Sequence, residues 1–134
     1  MDFTFSDEET AAADLARTIL TDFATNERLR EIGKSEARYD ADLWAALAKA
    51  DVLGLGIPER DGGSGLGFLA LCLVLEEVGK AVAPVPAYAS LVLGALPIAQ
   101  FGDDALRGEW LPAIAQGNAI VTAGLNEYES SDPL

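Results

Sequence analysis

The stretch from residue 52 to residue 67, VLGLGIPERDGGSGLG, determines how the rest of the chain is interpreted. It follows a helical pattern, has four glycines in its last six residues, and leads directly into an almost uncharged run beginning at Phe68. Glycine tolerates positive φ and close backbone packing, so the stretch predicts a tight turn between two helices. The alternative is a phosphate-binding loop, although no strand clearly precedes the glycines and no G-x-x-x-x-G-K-S/T pattern is present.

Helical periodicity is found on the N-terminal side of this turn. Ser6 and Glu9 have the spacing of a capping box, and an amphipathic helix is predicted to follow them. A short helix is expected from Asn26 to Ile32, and Asp40 is a suitable N-cap for a third.

Helical patterns also continue beyond the turn. The run Phe68–Val78 has no polar face, so we expect neighbouring elements to cover it on most sides. A further helix is predicted from Pro86 to about Gln100, with Pro97 bending it or ending its regular hydrogen bonding, and Asp103 caps a last one. Together these patterns predict an all-α fold, an up-and-down helical bundle of about five to six helices.

The pattern changes after Gly117. The segment AIVTAGL, from Ala119 to Leu125, is short, partly β-branched and weakly alternating, which predicts a strand. A single strand is not stable without partner strands. We therefore expect residues 1–117 to form one helical domain and residues 118–134 to be the start of an incomplete β domain.

Composition narrows the classes of function. The 134 residues include 22 acidic and 9 basic ones, and the net charge of −13 disfavours nucleic acid as a partner. The absence of histidine excludes His-dependent triads and His-ligated zinc within this chain. One cysteine, Cys72, and an acidic N-terminus unlike a signal peptide predict a cytoplasmic location. Prolines interrupt the charge-free stretch from Ala81 to Gly102, so no membrane span is expected.

Acidic pairs are the first candidates for chemistry. Glu8–Glu9, Glu76–Glu77 and Asp103–Asp104 could serve metal binding or acid–base catalysis, but their places at helix ends favour a structural role, and we predict no metal site. The polar residues after Leu125 could offer amide, hydroxyl and carboxylate groups to a ligand, or form a solvated loop.

Three segments resemble, in order and over nearly the whole length, the N-terminal helical domain of acyl-CoA dehydrogenases. They are FSDEETAAADLARTIL (5–20), LWAALAKADVLGLGIPERDGGSGLGFLALCLVLEEVGK (43–80) and LVLGALPIAQFGDDALRGEWLPAIAQGNAI (91–120). The resemblance implies FAD-dependent α,β-dehydrogenation of an acyl-CoA thioester by a homo- or heterotetramer. In that family the catalytic carboxylate lies in a C-terminal helical domain, so no catalytic residue is assigned here.

The resemblance also implies site residues. GLNEYESSD (124–132) is similar to the family's flavin signature ALTEPGAGSD, which points to Leu125, Asn126 and Ser131 as FAD contacts, with Asn126 in place of a threonine. The small residues Ala89 and Ser90 would either leave room for a bulky acyl group or allow close helix packing. The acyl-chain contacts implied by the resemblance are Val85, Pro86, Ala89, Ser90 and Leu93.

Two alternatives to a flavin-loaded dehydrogenase subunit remain open from the sequence. The flavin signature lacks its glycines here, which suits a flavin-poor partner subunit of a heteromeric dehydrogenase. A non-catalytic helical module that binds a partner through its apolar helices is the other alternative.

Overall fold

The computed structural model describes residues 4–37 and 39–125 and confirms the all-α fold of the predicted helical bundle. A π-helical segment, Tyr88–Ala95, runs directly into the fifth α-helix, and two 3-10 turns, Val52–Gly54 and Glu59–Asp61, lie between the third and fourth. The α-helices in these residues are α1 (Asp7–Phe23), α2 (Asn26–Lys34), α3 (Ala41–Lys49), α4 (Phe68–Lys80), α5 (Leu96–Phe101) and α6 (Asp104–Ala115).

The starts of α1, α3 and α6 are those that the sequence predicts. Ser6 Oγ accepts a hydrogen bond from the Glu9 N–H at 3.2 Å, and the Glu9 carboxylate accepts one from the Ser6 N–H at 2.8 Å, which completes the capping box. The carboxylates of Asp40 and Asp103 each accept from the N–H three residues later, at 3.1 and 2.8 Å. These local bonds satisfy N–H groups that have no partner within their own helix.

The core is aliphatic and lies where α1 packs along α4 and against α3, with α6 closing on the 3-10 turns, the π-helical segment and α5. Burial of these side chains is the main favourable contribution to folding. Its largest fully buried hydrophobic side chains are Leu20, Leu43, Leu47, Leu53, Ile57, Leu71, Leu111 and Ile114.

Helix α4 is covered less completely than its sequence predicts. Leu71 and Val74 are buried, but Phe68 and Leu69 in the first turn are 59% and 49% exposed. The main neighbour of α4 is α1, which packs against one face of it. The prediction of cover on most sides is therefore wrong for the first turn of the helix.

The strand predicted for Ala119–Leu125 is not formed, and no strand occurs elsewhere in residues 4–37 and 39–125. A strand requires backbone partners, and no second extended segment pairs with this one in the described part of the chain. Instead, the segment runs beside the π-helical segment and makes contact there through Val121.

The charge-free stretch divides into a loop, the π-helical segment and α5. Leu96 donates its N–H to the carbonyl of Leu91, five residues earlier, and Pro97 lies in the first turn of α5, where its missing N–H costs little. Helical geometry thus changes next to Pro97, as predicted. Within the described ranges, none of the helices has the length and apolar character needed to span a bilayer.

Candidate functional site

The glycine segment forms a closed turn between α3 and α4. Three of its N–H groups donate to carbonyls of the chain that enters the turn, so they are not available to a phosphate group. The structure therefore supports the tight turn and not the phosphate-binding alternative. These hydrogen bonds run from Ser64 to Gly54 at 3.0 Å, from Gly65 to Ile57 at 2.9 Å and from Gly67 to Leu55 at 3.2 Å.

Sterics and an ion pair hold this turn in place. A Cβ added at Gly63 would overlap the carbonyl oxygens of Ile57 and Gly54, so only glycine fits there. The largely buried Arg107 of α6 donates from Nη2 to both carboxylate oxygens of Asp61, at 2.8 and 3.1 Å. The turn is thereby fixed to α6 as well as to the chain that follows α3.

The five residues implied to contact an acyl chain lie on one continuous segment, from the loop after α4 into the π-helical segment. Ala89 and Leu93 are half-buried and four residues apart, whereas Ser90 is fully buried, with 0% of its surface exposed. Val85 and Pro86, in the loop, are also half-buried. Their assignment to substrate remains a prediction.

The loop before this segment is fixed from α3. The N–H of Asp40 donates to the carbonyl of Pro84 at 2.7 Å. The buried Asp40 carboxylate accepts from Arg28 Nε at 2.8 Å and from Nη2 at 2.9 Å. The hydrogen bonds from Arg28 hold the pKa of Asp40 below its usual range, against the opposing effect of burial. The charged N-cap of α3 therefore anchors the chain one residue before Val85.

Two residues join this segment to the C-terminal extended chain: Ser90, which the sequence assigned either to the acyl group or to close packing, and Gly94, which the sequence analysis did not single out. Ser90 Oγ accepts a long hydrogen bond of 3.4 Å from the N–H of Val121. Gly94 lies directly against the same residue. A Cβ added at Gly94 would overlap the Val121 carbonyl oxygen. The available signal was the spacing of Ser90 and Gly94, two small residues four apart in an apolar helix, but it does not reveal what packs on them.

The residues implied to contact flavin are only partly within the described structure. Leu125 is 58% exposed, while Asn126 and Ser131 lie outside the described residues. Leu125 offers an exposed apolar side chain and Thr122 an exposed hydroxyl group. No basic residue lies between Ala119 and Leu125, so this segment supplies no positive charge for the flavin phosphates.

The acidic pairs have structural partners. Glu77, nearly enclosed between α1 and α4, accepts from Arg17 Nε at 3.0 Å and Nη2 at 3.1 Å, and from Lys80 Nζ at 2.9 Å. The hydrogen bonds from Arg17, followed by those from Lys80, lower the pKa of Glu77 to about 2. Glu9 and Asp103 act in helix caps. These roles are the ones that the positions at helix ends favoured.

Residues 6–118 match the sequence model of the acyl-CoA dehydrogenase N-terminal domain. The chain belongs to the acyl-CoA dehydrogenase family. Acyl-CoA dehydrogenase FadE27 of Mycobacterium tuberculosis is 35% identical over 134 residues, which are 100% of this chain and 36% of that protein. This member of the family therefore spans about a third of the length of the relatives it matches.

Two solved structures of the family are similar to it. A variant of the Tcur3481-Tcur3483 steroid ACAD is 47% identical, with a TM-score of 0.87 over 91% of this chain and 33% of that chain. The ChsE4-ChsE5 complex from Mycobacterium tuberculosis is 35% identical, with a TM-score of 0.91 over 99% of this chain and 36% of that chain. Each of these structures is named for two proteins, Tcur3481 and Tcur3483 in the first and ChsE4 and ChsE5 in the second.

Proposed function

We propose that this chain is the N-terminal helical domain of a subunit of an FAD-dependent acyl-CoA dehydrogenase, which introduces a double bond between Cα and Cβ of an acyl-CoA thioester. The observation that supports this most strongly is the match of residues 6–118 to the family's N-terminal domain. FAD, when bound, would supply the acceptor for the hydride from Cβ, and the proton from Cα would pass to the catalytic carboxylate that the family carries in its C-terminal domain. The part of this chain in the reaction is to bind and orient the acyl group and exclude water from it.

The roles of the segments follow from this proposal. Residues 1–117 form the helical domain, residues 118–134 enter the β domain, and the enzyme works in the cytoplasm. The flavin contacts are Leu125, Asn126 and Ser131. The acyl-chain wall comprises Val85, Pro86, Ala89, Ser90 and Leu93, with the half-buried side chains in front and Ser90 behind them.

The acyl group is proposed to be bulky, of the size of a steroid side chain still attached to its rings. The similarity at 47% identity to a steroid ACAD supports this substrate class. Ala89 supports it too, because its methyl side chain at a half-buried position takes little room from a ligand. A larger side chain there would fill the space that a broad ring system needs.

The quaternary structure is proposed to be a heterotetramer with a second dehydrogenase subunit. The two similar structures support this, because each is named for two proteins. The missing glycines in GLNEYESSD favour a second candidate role within that assembly. In it, this subunit would complete the complex while its partner holds most of the flavin.

Flavin content of the complex tests both roles. The full subunit that contains this domain would be co-expressed with its dehydrogenase partner and purified, and FAD would be measured per subunit by its absorption after denaturation. One FAD per copy of each subunit supports the first role, and one FAD per pair of unlike subunits supports the second. A complex with neither flavin nor acyl-CoA dehydrogenation would contradict the proposed function.

The substitution Ala89→Leu tests the acyl-chain wall. We expect the kcat/KM for a steroid-side-chain CoA thioester to fall about tenfold to a hundredfold, which corresponds to overpacking by roughly 1–3 kcal/mol. Turnover of butyryl-CoA should change little, because its short chain does not need that space. The matched control is Ala105→Leu, on an exposed position of α6. An equal loss with both thioesters would show that Ala89 does not line the acyl site.

A further inference from the structure

Two small residues of the π-helical segment, Ser90 and Gly94, form the surface on which the C-terminal extended chain rests. Both are buried, and both meet the backbone of Val121. Ser90 receives the Val121 N–H at 3.4 Å, and the Val121 carbonyl occupies the space that a Cβ of Gly94 would need. One peptide group on each side of Val121 thus contacts the π-helical segment, and a displacement of the residue would break one of these contacts.

The position of Val121 affects the chain that follows it. Leu125 is four residues further on, which is about 13 Å in extended chain at roughly 3.3 Å per residue. No described partner strand holds this segment between residues 119 and 125. The contact at Val121 therefore restricts the position of Leu125, in addition to the bonds from the Asn118 and Ala119 N–H groups to the Ala113 carbonyl.

The same segment carries the proposed acyl-chain wall. Ala89 directly precedes Ser90, and Leu93 directly precedes Gly94, so the half-buried pair and the buried pair lie on adjacent faces of the same helical segment. A shift of this turn would move the acyl-chain wall and Val121 together. Tyr88–Ala95 is π-helical, a geometry that is rare and is often found at functional sites.

We infer that Ser90 and Gly94 are positioning residues, which hold Val121 so that the acyl-chain wall and Leu125, the described residue among the proposed flavin contacts, keep a fixed separation. This inference rests on the proposed function, because it requires flavin to bind at Leu125 and beyond. It also gives Ser90 a role other than direct contact with substrate, in agreement with its complete burial.

The test compares Ser90→Ala and Gly94→Ala with the control Gly108→Ala, whose added Cβ meets open space in α6. All three are made in the full subunit within its flavin-loaded complex. Hydrogen exchange at the Val121 amide, FAD affinity and the visible circular dichroism of bound FAD are measured. We expect faster exchange, about tenfold weaker FAD binding and an altered flavin spectrum in the first two variants only, because Ser90→Ala removes the acceptor of the Val121 N–H and Gly94→Ala displaces the Val121 carbonyl.

The outcomes separate the inference from the proposed function. A complex with neither flavin nor acyl-CoA dehydrogenation would overturn both, and flavin held by the partner subunit alone would overturn the inference but support the second candidate role. A wild-type subunit that holds flavin, with Ser90→Ala equal to it in FAD affinity and flavin spectrum, would overturn the inference alone. If Gly94→Ala does not fold, Ser90→Ala decides, because it removes one oxygen and adds no atom. If Ser90 and Gly94 served only the stability of the fold, their variants would have a lower unfolding midpoint and an unchanged flavin spectrum, which would also overturn the inference.

Discussion

Glu77 of α4 forms an ion pair with α1, and these are the two longest helices of the described bundle. Its carboxylate receives Arg17 from α1 and Lys80 from its own helix, and only 6% of its side chain is exposed. Because its pKa of about 2 lies below the usual value for glutamate, the charged form stabilises the folded state. That stabilisation is complete above the pKa of the unfolded state, about 4.3, and is lost as the pH falls through 2.

Replacing Glu77 by glutamine should remove this pH dependence. We expect Glu77→Gln to be less stable than the wild type at pH 7 and the difference to shrink between about pH 4.3 and pH 2, where the wild-type carboxylate takes up its proton. Urea unfolding across this range measures it. Glu76→Gln is the matched control, since Glu76 is 58% exposed and its pairing with Lys80 contributes little. A difference that stays constant with pH would contradict the role assigned to the Glu77 charge.

Val82 occupies a position that normally suits glycine. It ends α4 with φ of +50°, and the surrounding bonds, Ala83 N–H to the Val78 carbonyl and Val82 N–H to the Gly79 carbonyl, both at 3.1 Å, form a Schellman motif. Its side chain is 73% exposed, so little packing in this chain offsets the strain of a β-branched residue in the left-handed region.

Val82→Gly should therefore stabilise the fold. Left-handed geometry costs a residue with a Cβ roughly 1–2 kcal/mol, and the extra freedom of glycine in the unfolded chain offsets roughly 0.5–1 kcal/mol of the gain. We expect a net increase of about 0.5–1 kcal/mol in the free energy of unfolding, measured by chemical denaturation. Ala81→Gly, at φ of −79°, should give no such gain. A loss of stability in Val82→Gly would show that the valine side chain is needed for packing.

The glycine turn connects α3 to α4, and its backbone packs too closely at Gly63 to accept a side chain. Gly63→Ala would force a methyl group into the carbonyl oxygens of Ile57 and Gly54, so we expect a loss of about 3 kcal/mol from backbone displacement. The control Gly79→Ala adds its methyl to open space in α4 and should be neutral or slightly stabilising. Thermal and urea unfolding compare the two. Equal effects would mean that the turn can relax around the extra methyl group.

At the scale of elements, local signals were predictable and distant partners were not. The caps at Ser6, Asp40 and Asp103 depend on a residue and the next three, so the sequence alone reveals them. The cover of α4 and the strand after Gly117 depend on neighbours far along the chain. The sequence pattern therefore showed that both segments are apolar, but it did not show which elements would pack on them or pair with them.

Across the whole molecule, the helical fold could be predicted because the aliphatic pattern, the caps and the glycine turn all favour the same arrangement. The candidate site was less accessible to such reasoning. The resemblance placed the acyl-chain residues on one segment, but the contact between Ser90 and Val121 joins residues 31 apart. The pair Arg17 and Glu77 is 60 residues apart. Such contacts follow from packing and leave no periodic signal in the sequence.

The turn between α3 and α4 cannot change its length freely. Most surface loops accept inserted residues, because closing a slightly longer loop costs little entropy. In this turn, however, N–H groups on one limb are matched to carbonyls on the other, and Asp61 is matched to Arg107. One residue added between Asp61 and Gly67 would displace the donors beyond it from their acceptors. Relatives of this chain are therefore expected to keep a constant spacing here, and the turn is a poor place for a peptide tag or a domain fusion.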